Sequence, residues 1–129
     1  MTVQSRRIAD ERVMDVTVFM ERVSGDYSLA KELVDLFVIE TPRLMEQTSK
    51  AIAENNPVAL ANAAHTIRGA ASNFSAQKVV KAAAAVERMG RENNLGGVQE
   101  AFQNLKDEVQ RLCDEFVKII GDSHEYDPR

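Results

Sequence analysis

The chain has 129 residues and a formal net charge of −4, a length that fits one domain. Its 16 Lys and Arg residues are dispersed and only 5% of residues are aromatic. Both features argue against a nucleic-acid partner, because no basic stripe or stacking surface is formed. The one cysteine, Cys113, excludes an intramolecular disulfide and favours a reducing compartment. No signal peptide and no run of the ~20 apolar residues that cross a bilayer is found, so we expect a cytoplasmic protein without membrane contact.

Apolar residues recur at helical rather than alternating spacing, which predicts an all-α fold. The first helix is predicted at about 15–23, after a short turn around 8–13. The second is predicted at about 27–54 as one long bent helix, because the apolar period, which includes Leu29 and Leu36, continues past Pro42. Three further helices are predicted at about 57–73, 76–92 and 98–120. N-caps are predicted from side-chain type at Asp15, Asp26, Asn56 and Ser75.

Short loops between the four longer helices favour an antiparallel four-helix bundle. The extra short N-terminal helix is then predicted to pack across one end. We predict an N-terminal segment at 1–14, the bundle at 15–120 and a flexible polar tail at 121–129.

The third helix carries the candidate chemistry on its outer face. With Ile67 placed at the centre of the core stripe, a rotation of about 100° per residue puts His65 about 160° away. The imidazole of His65 is therefore predicted to be exposed. The small residues Ala61 and Ser72 are predicted to lie above and below it and to keep this surface open.

Two neighbours distinguish His65 from an ordinary surface histidine. Gly69, one turn later, costs about 1 kcal/mol relative to Ala inside a helix, and on the outer face it clears space for another molecule. Arg68 places a permanent charge within reach of anything bonded to the imidazole, and a guanidinium suits phosphate oxygens. Together these residues indicate an exposed nucleophile with an anion-binding neighbour.

The segment AHTIRGAASNFSA resembles the histidine-containing phosphotransfer (HPt) domain. Members show a His, a Lys or Arg three residues on, a Gly, and small residues before an apolar position. Those positions are here His65, Arg68, Gly69, Ala70, Ala71, Ser72 and Phe74. The resemblance extends over about 15–120. The chain departs from the common pattern at Arg68, where Lys is more frequent, and at Ser75, where many members have Gly.

This resemblance implies a phosphoryl carrier rather than an enzyme. Nε2 of His65 would accept a phosphoryl group from the phospho-aspartate of a receiver domain and pass it to another receiver. Arg68 would stabilise its charge, Gly69 would give steric access, and Glu40 on the preceding helix would orient the ring. The implied partners are response-regulator receiver domains and a hybrid sensor histidine kinase, docked on apolar patches of the first two helices. No cofactor or metal is implied for this chain, Mg²⁺ being expected on the receiver, and we expect a monomer.

Other classes stay open or are disfavoured. A non-catalytic helical adaptor, with His65 incidental, stays open, as does an excised phospho-acceptor domain of a chemotaxis-type histidine kinase. The dimerisation region of a histidine kinase is disfavoured because Thr66 follows the His and no proline comes before the bundle ends. A helical di-metal enzyme is disfavoured because paired Glu-x-x-His units are missing: Asn62 precedes His65 by three, and His124 lies in the tail.

Overall fold

The computed structural model describes residues 12–120. Within that range it contains helices and no strand, so the all-α prediction is confirmed. The helices are α1 Val16–Arg22, α2 Tyr27–Ala53, α3 Pro57–Ser72, α4 Gln77–Arg91 and α5 Val98–Ile120. None of these helices is long and apolar enough to cross a membrane. Most of the turn predicted at 8–13, and the whole predicted tail at 121–129, lie outside the described residues.

The four longer helices form a closed ring of neighbours. Both α2 and α4 contact α3 and α5, which is the four-helix bundle that the sequence predicts. The short helix α1 packs at one end, where the Asp15 N–H donates to the Ser75 carbonyl between α3 and α4. This end is filled by a cluster of aromatic rings with centroids 4.8 to 5.7 Å apart. The cluster consists of Phe19, Phe37, Phe74 and Phe116.

Helix α2 is continuous through Pro42, as predicted. Its buried stripe departs from the apolar period of the sequence, because Thr41 and Thr48 occupy core positions. The Thr48 hydroxyl donates to the Leu44 carbonyl, which satisfies the buried polar group. Leu29 and Leu36, which belong to the apolar period of the sequence, are exposed.

Three of the four predicted caps are confirmed. The side chains of Asp15, Asp26 and Asn56 accept hydrogen bonds from the first turns of α1, α2 and α3. The prediction for Ser75 is wrong. Ser75 has a φ of 52° and ends the turn that closes α3, while the N-cap of α4 falls on Ala76, which forms no side-chain cap. The Ala76 N–H returns to the Ala71 carbonyl, a helix-closing bond that requires a left-handed residue just before it.

Candidate functional site

Helix α3 presents His65 from the middle of a well-anchored segment. Asn56 caps its first turn and Pro57 occupies the first helical position, where a missing N–H costs nothing. Leu60, Ala64, Ile67 and Ala71 are buried on the inner side. On the opposite side, the His65 side chain is 57% exposed. The predicted outward direction of this ring is confirmed.

The prediction that Ala61 lines the open surface beside His65 is wrong. Ala61 is 4% exposed and faces Gly90 of α4. A Cβ added at Gly90 would lie 2.6 Å from the Pro57 carbonyl oxygen and 2.8 Å from the Ala61 nitrogen. The helical wheel assumed that only one face of α3 is buried. In the structure α3 packs against the core on one face and against α4 on a second face.

A carboxylate from α4 reaches the ring of His65. Glu87 is buried, with its side chain only 7% exposed, and its Oε2 lies 3.0 Å from His65 Nδ1. The Arg68 Nε donates to Glu87 Oε1 at 2.7 Å. The Arg91 guanidinium donates to Oε2 through Nη2 at 2.6 Å and through Nε at 3.0 Å. One carboxylate thus joins two guanidinium groups and the imidazole.

These contacts determine the charge of Glu87. Burial alone would raise its pKa, but hydrogen bonds from Arg68, Arg91 and His65 outweigh burial and lower the pKa from 4.5 to about 2. At neutral pH the group is a carboxylate, which only accepts hydrogen bonds. Nδ1 of His65 therefore carries the proton that Glu87 accepts, and the free lone pair of the ring lies on Nε2.

The Arg68 guanidinium stands at the Nδ1 edge of the ring, with Nη2 3.1 Å from Nδ1. Both groups are donors when Nδ1 is protonated, so this proximity is a contact and Glu87 holds Arg68 in place. Arg68 therefore lies beside His65, as predicted, but turned toward the carboxylate.

Glu40 does not orient the ring, contrary to the sequence-based expectation. Its carboxylate is hydrogen-bonded to Arg43, one turn later on α2, and the Nδ1 position is taken by Glu87. The ring leans toward α4 rather than α2, because Gly90 draws α4 close to α3.

Gly69 leaves the approach to His65 open. A Cβ added there would meet nothing within 4 Å. Ser72, one turn beyond Arg68, is exposed, and its hydroxyl donates back to the Arg68 carbonyl. The open surface predicted beside His65 is therefore present at Gly69 and Ser72, but not at Ala61.

Among residues 12–120, no group of three or more His, Cys, Asp and Glu side chains is arranged to hold a metal ion. The profile of the Hpt domain family matches residues 32–115, well over half of the chain. The chain is a member of the Hpt domain family. Such domains take part in histidine phosphotransfer in phosphorelays. No curated protein and no solved structure matches the chain.

This Hpt domain also has an apolar surface next to its histidine. Leu36 and Ile39 of α2 are 57% and 66% exposed. Leu36 borders a cleft of about 260 Å³ between α2 and α3, whose floor includes Phe37 and Ala70. Thr66, the residue after His65, also lines this cleft, so Leu36 lies close to the helix that carries the imidazole, and Ile39 follows Leu36 by three residues on α2.

Glu87 and Arg91 of this Hpt domain were not predicted from the sequence. A signal was present, because Glu87 occurs four residues after Ala83, on the buried stripe of α4. Charged residues are almost never fully buried unless they are paired. A glutamate in an apolar stripe, with an arginine four residues later, should therefore have been considered as a partner for a nearby cation or histidine.

Proposed function

We propose that this protein carries a phosphoryl group on Nε2 of His65 and relays it between receiver-domain aspartates in a two-component phosphorelay. The observation that carries the proposal is the 3.0 Å contact between Glu87 Oε2 and His65 Nδ1. This contact occupies one ring nitrogen and directs the lone pair of the other toward solvent. An exposed, neutral and oriented imidazole is the group that a phosphoryl carrier needs.

The transfer is a displacement at phosphorus. The Nε2 lone pair attacks the aspartyl phosphate, the P–N bond forms, and the P–O bond breaks with its electron pair leaving on the aspartate. The His65 ring keeps its Nδ1 proton and becomes cationic, facing the Glu87 carboxylate. Donation to the next receiver reverses these changes. Such transfer depends mainly on positioning and charge stabilisation, and we expect the receiver to supply Mg²⁺ and the acidic pocket.

Arg68 and Gly69 assist in different ways. Arg68 is three residues after His65 on the same helix, so a change of its rotamer would bring the guanidinium to the phosphoryl oxygens. Gly69 leaves room for the receiver loops that must surround the transferred group. We assign Arg68 to charge stabilisation and Gly69 to steric access.

We further propose that the receiver docks on the apolar surface formed by Leu36, Ile39 and the adjoining cleft. Leu36 shares the cleft with Thr66, the residue after His65, so a domain seated on this surface would bring its aspartate toward His65. The partner must leave after transfer, so a modest contact suits the task. A hybrid sensor kinase would present its own receiver in the same way. His65, Arg68 and Glu87 come from one chain, and a monomer is therefore sufficient.

The test is transfer of ³²P from a phosphorylated receiver to the full chain. The wild-type protein is expected to take the label, and His65→Gln is expected to take none while its thermal unfolding is unchanged. His124→Gln, which changes the other histidine of the chain, is the matched control and should be labelled like the wild type. A labelled His65→Gln protein, or a wild type that no host receiver labels, would favour an adaptor instead.

A further inference from the structure

Arg68, the cation expected to bind the phosphoryl group, is hydrogen-bonded to the Glu87 carboxylate in this structure. Arg68 donates to Glu87 Oε1 at 2.7 Å and lies at the Nδ1 edge of the ring. The phosphoryl group would be attached to Nε2, on the other side of the ring. Arg91, also near the ring, donates twice to Glu87 Oε2. Both guanidinium groups would have to leave Glu87 in order to bind the phosphoryl oxygens.

Glu87 also acts on the ring once it is phosphorylated. A phosphorylated imidazole that keeps its Nδ1 proton is a cation, and a carboxylate 3.0 Å from Nδ1 favours that protonated form. When the phosphoryl group departs, the protonated ring leaves as neutral imidazole. A deprotonated ring would have to leave as an anion, which is the poorer leaving group.

The other charged groups near the ring do not replace Glu87. Arg68 on α3 and Arg91 on α4 are cations and oppose a positive ring. On the α2 side, Glu40 and Arg43 are paired with each other. Among residues 12–120, Glu87 is therefore the carboxylate placed to set the protonation of the phosphorylated ring.

We propose that Glu87 shortens the lifetime of the phosphoryl group on His65, by keeping the Nδ1 proton in place and by withholding Arg68 from the phosphoryl oxygens. This inference rests on the proposed function. Both effects act in the same direction, because one improves the leaving group and the other reduces stabilisation of the bound phosphoryl group. Glu87 is a positioning residue in this scheme. It favours rapid transfer of the phosphoryl group to the next receiver over long retention on His65.

The experiment uses the full chain and phosphoramidate, a small donor that needs no docked partner. In the loading step the P–N bond to Nε2 forms and ammonia leaves. After removal of the donor, water attacks phosphorus, the P–N bond breaks and its electron pair returns to Nε2. The loss of phosphohistidine is followed by ³¹P NMR for the wild type, Glu87→Gln and Glu108→Gln. Glu108 is the matched control, since it is a largely buried carboxylate on α5 that pairs with Arg111.

Glu87→Gln is expected to lose its phosphoryl group several-fold more slowly than the wild type, and Glu108→Gln at the wild-type rate. The loss from Glu87→Gln should also slow as pH rises past about 6.5, where an ordinary imidazole gives up its proton, whereas the wild-type rate should stay nearly constant. An equal or faster loss from Glu87→Gln would overturn the proposal.

If circular dichroism shows that Glu87→Gln does not fold, the wild-type pH profile decides. A nearly constant rate supports the proposal, and a rate that falls steeply with rising pH contradicts it. A wild type that forms no phosphohistidine with phosphoramidate, with His65 intact, would count against phosphorylation of His65 itself. The failure of this inference and the failure of the proposed function are thereby distinguished.

Discussion

Gly90 of α4 lies so close to Ala61 of α3 that a Cβ at Gly90 would stand 2.8 Å from the Ala61 nitrogen. Ala61 precedes His65 by one turn, and Glu87 precedes Gly90 by about one turn. The two helices run in opposite directions, so this contact and the Glu87–His65 contact are neighbouring steps of one interface. The spacing at Gly90 therefore sets how far the carboxylate can reach toward the imidazole.

Gly90→Ala should destabilise the protein by about 1 to 3 kcal/mol, because the added methyl group meets backbone atoms that cannot move aside. Urea unfolding measures this change. Gly69→Ala is the matched control, since its Cβ would meet open space, and it should raise the free energy of unfolding by up to about 1 kcal/mol. Equal stability of Gly90→Ala and the wild type would show that the interface adapts.

Acid should weaken the protein through Glu87. Its pKa is about 2 in the folded protein against 4.5 for the free group, so its stabilising contribution is present above pH 4.5 and is lost as pH falls toward 2. This contribution is at most about 3 kcal/mol, because water screens the partly exposed Arg68 and Arg91 guanidinium groups. The difference in unfolding free energy between the wild type and Glu87→Gln should shrink over this pH range. A difference that stays the same at both ends would contradict the ionised assignment.

Gly69→Leu should block transfer from a phosphorylated receiver but still accept phosphate from phosphoramidate, because only the larger donor needs the cleared surface. Gly69→Ala is the control for helix propensity and should retain most of the receiver transfer. Parallel labelling with the two donors measures the effect. Receiver transfer to Gly69→Leu at the rate seen for Gly69→Ala would refute the steric role.

The double variant Leu36→Ser/Ile39→Ser should slow transfer from the receiver at least about tenfold, the equivalent of 1.4 kcal/mol of docking free energy. Loading from phosphoramidate should be unchanged. Val117→Ser is the control, because Val117 is a similarly exposed apolar residue on α5, on another side of the bundle. If the double variant and Val117→Ser accept the phosphoryl group from the receiver at the same rate, the receiver docks on another surface.

Ser75→Gly should stabilise the protein by up to about 1 kcal/mol, because Ser75 has a φ of 52° that costs a residue with a Cβ more than glycine. A rise in melting temperature checks this. Ser72→Gly is the control with the opposite expected sign. Ser72 is the last residue of α3, so glycine there should lower the stability of the protein. This backbone conformation also gives a reason for the glycine that many similar sequences have at the Ser75 position.

Local features were predictable from the sequence. The start of α3 follows from Asn56 and Pro57, and the exposure of His65 follows from its angle to Ile67, because capping and amphipathicity act within a few residues. The partner of His65 was not predictable in this way. Glu87 reaches the ring only because Gly90 fixes the register of α4 on α3, and that register depends on contacts between segments distant in sequence.

The same dependence on distant segments applies to the aromatic cluster. Its four rings come from α1, α2, the turn after α3 and α5. With seven residues, α1 is too short to persist as an isolated helix in water, so its order depends on Phe19 staying among the other rings. A spectroscopic probe on α1 should therefore report the cooperative melting of the whole bundle, rather than fraying of its first turns.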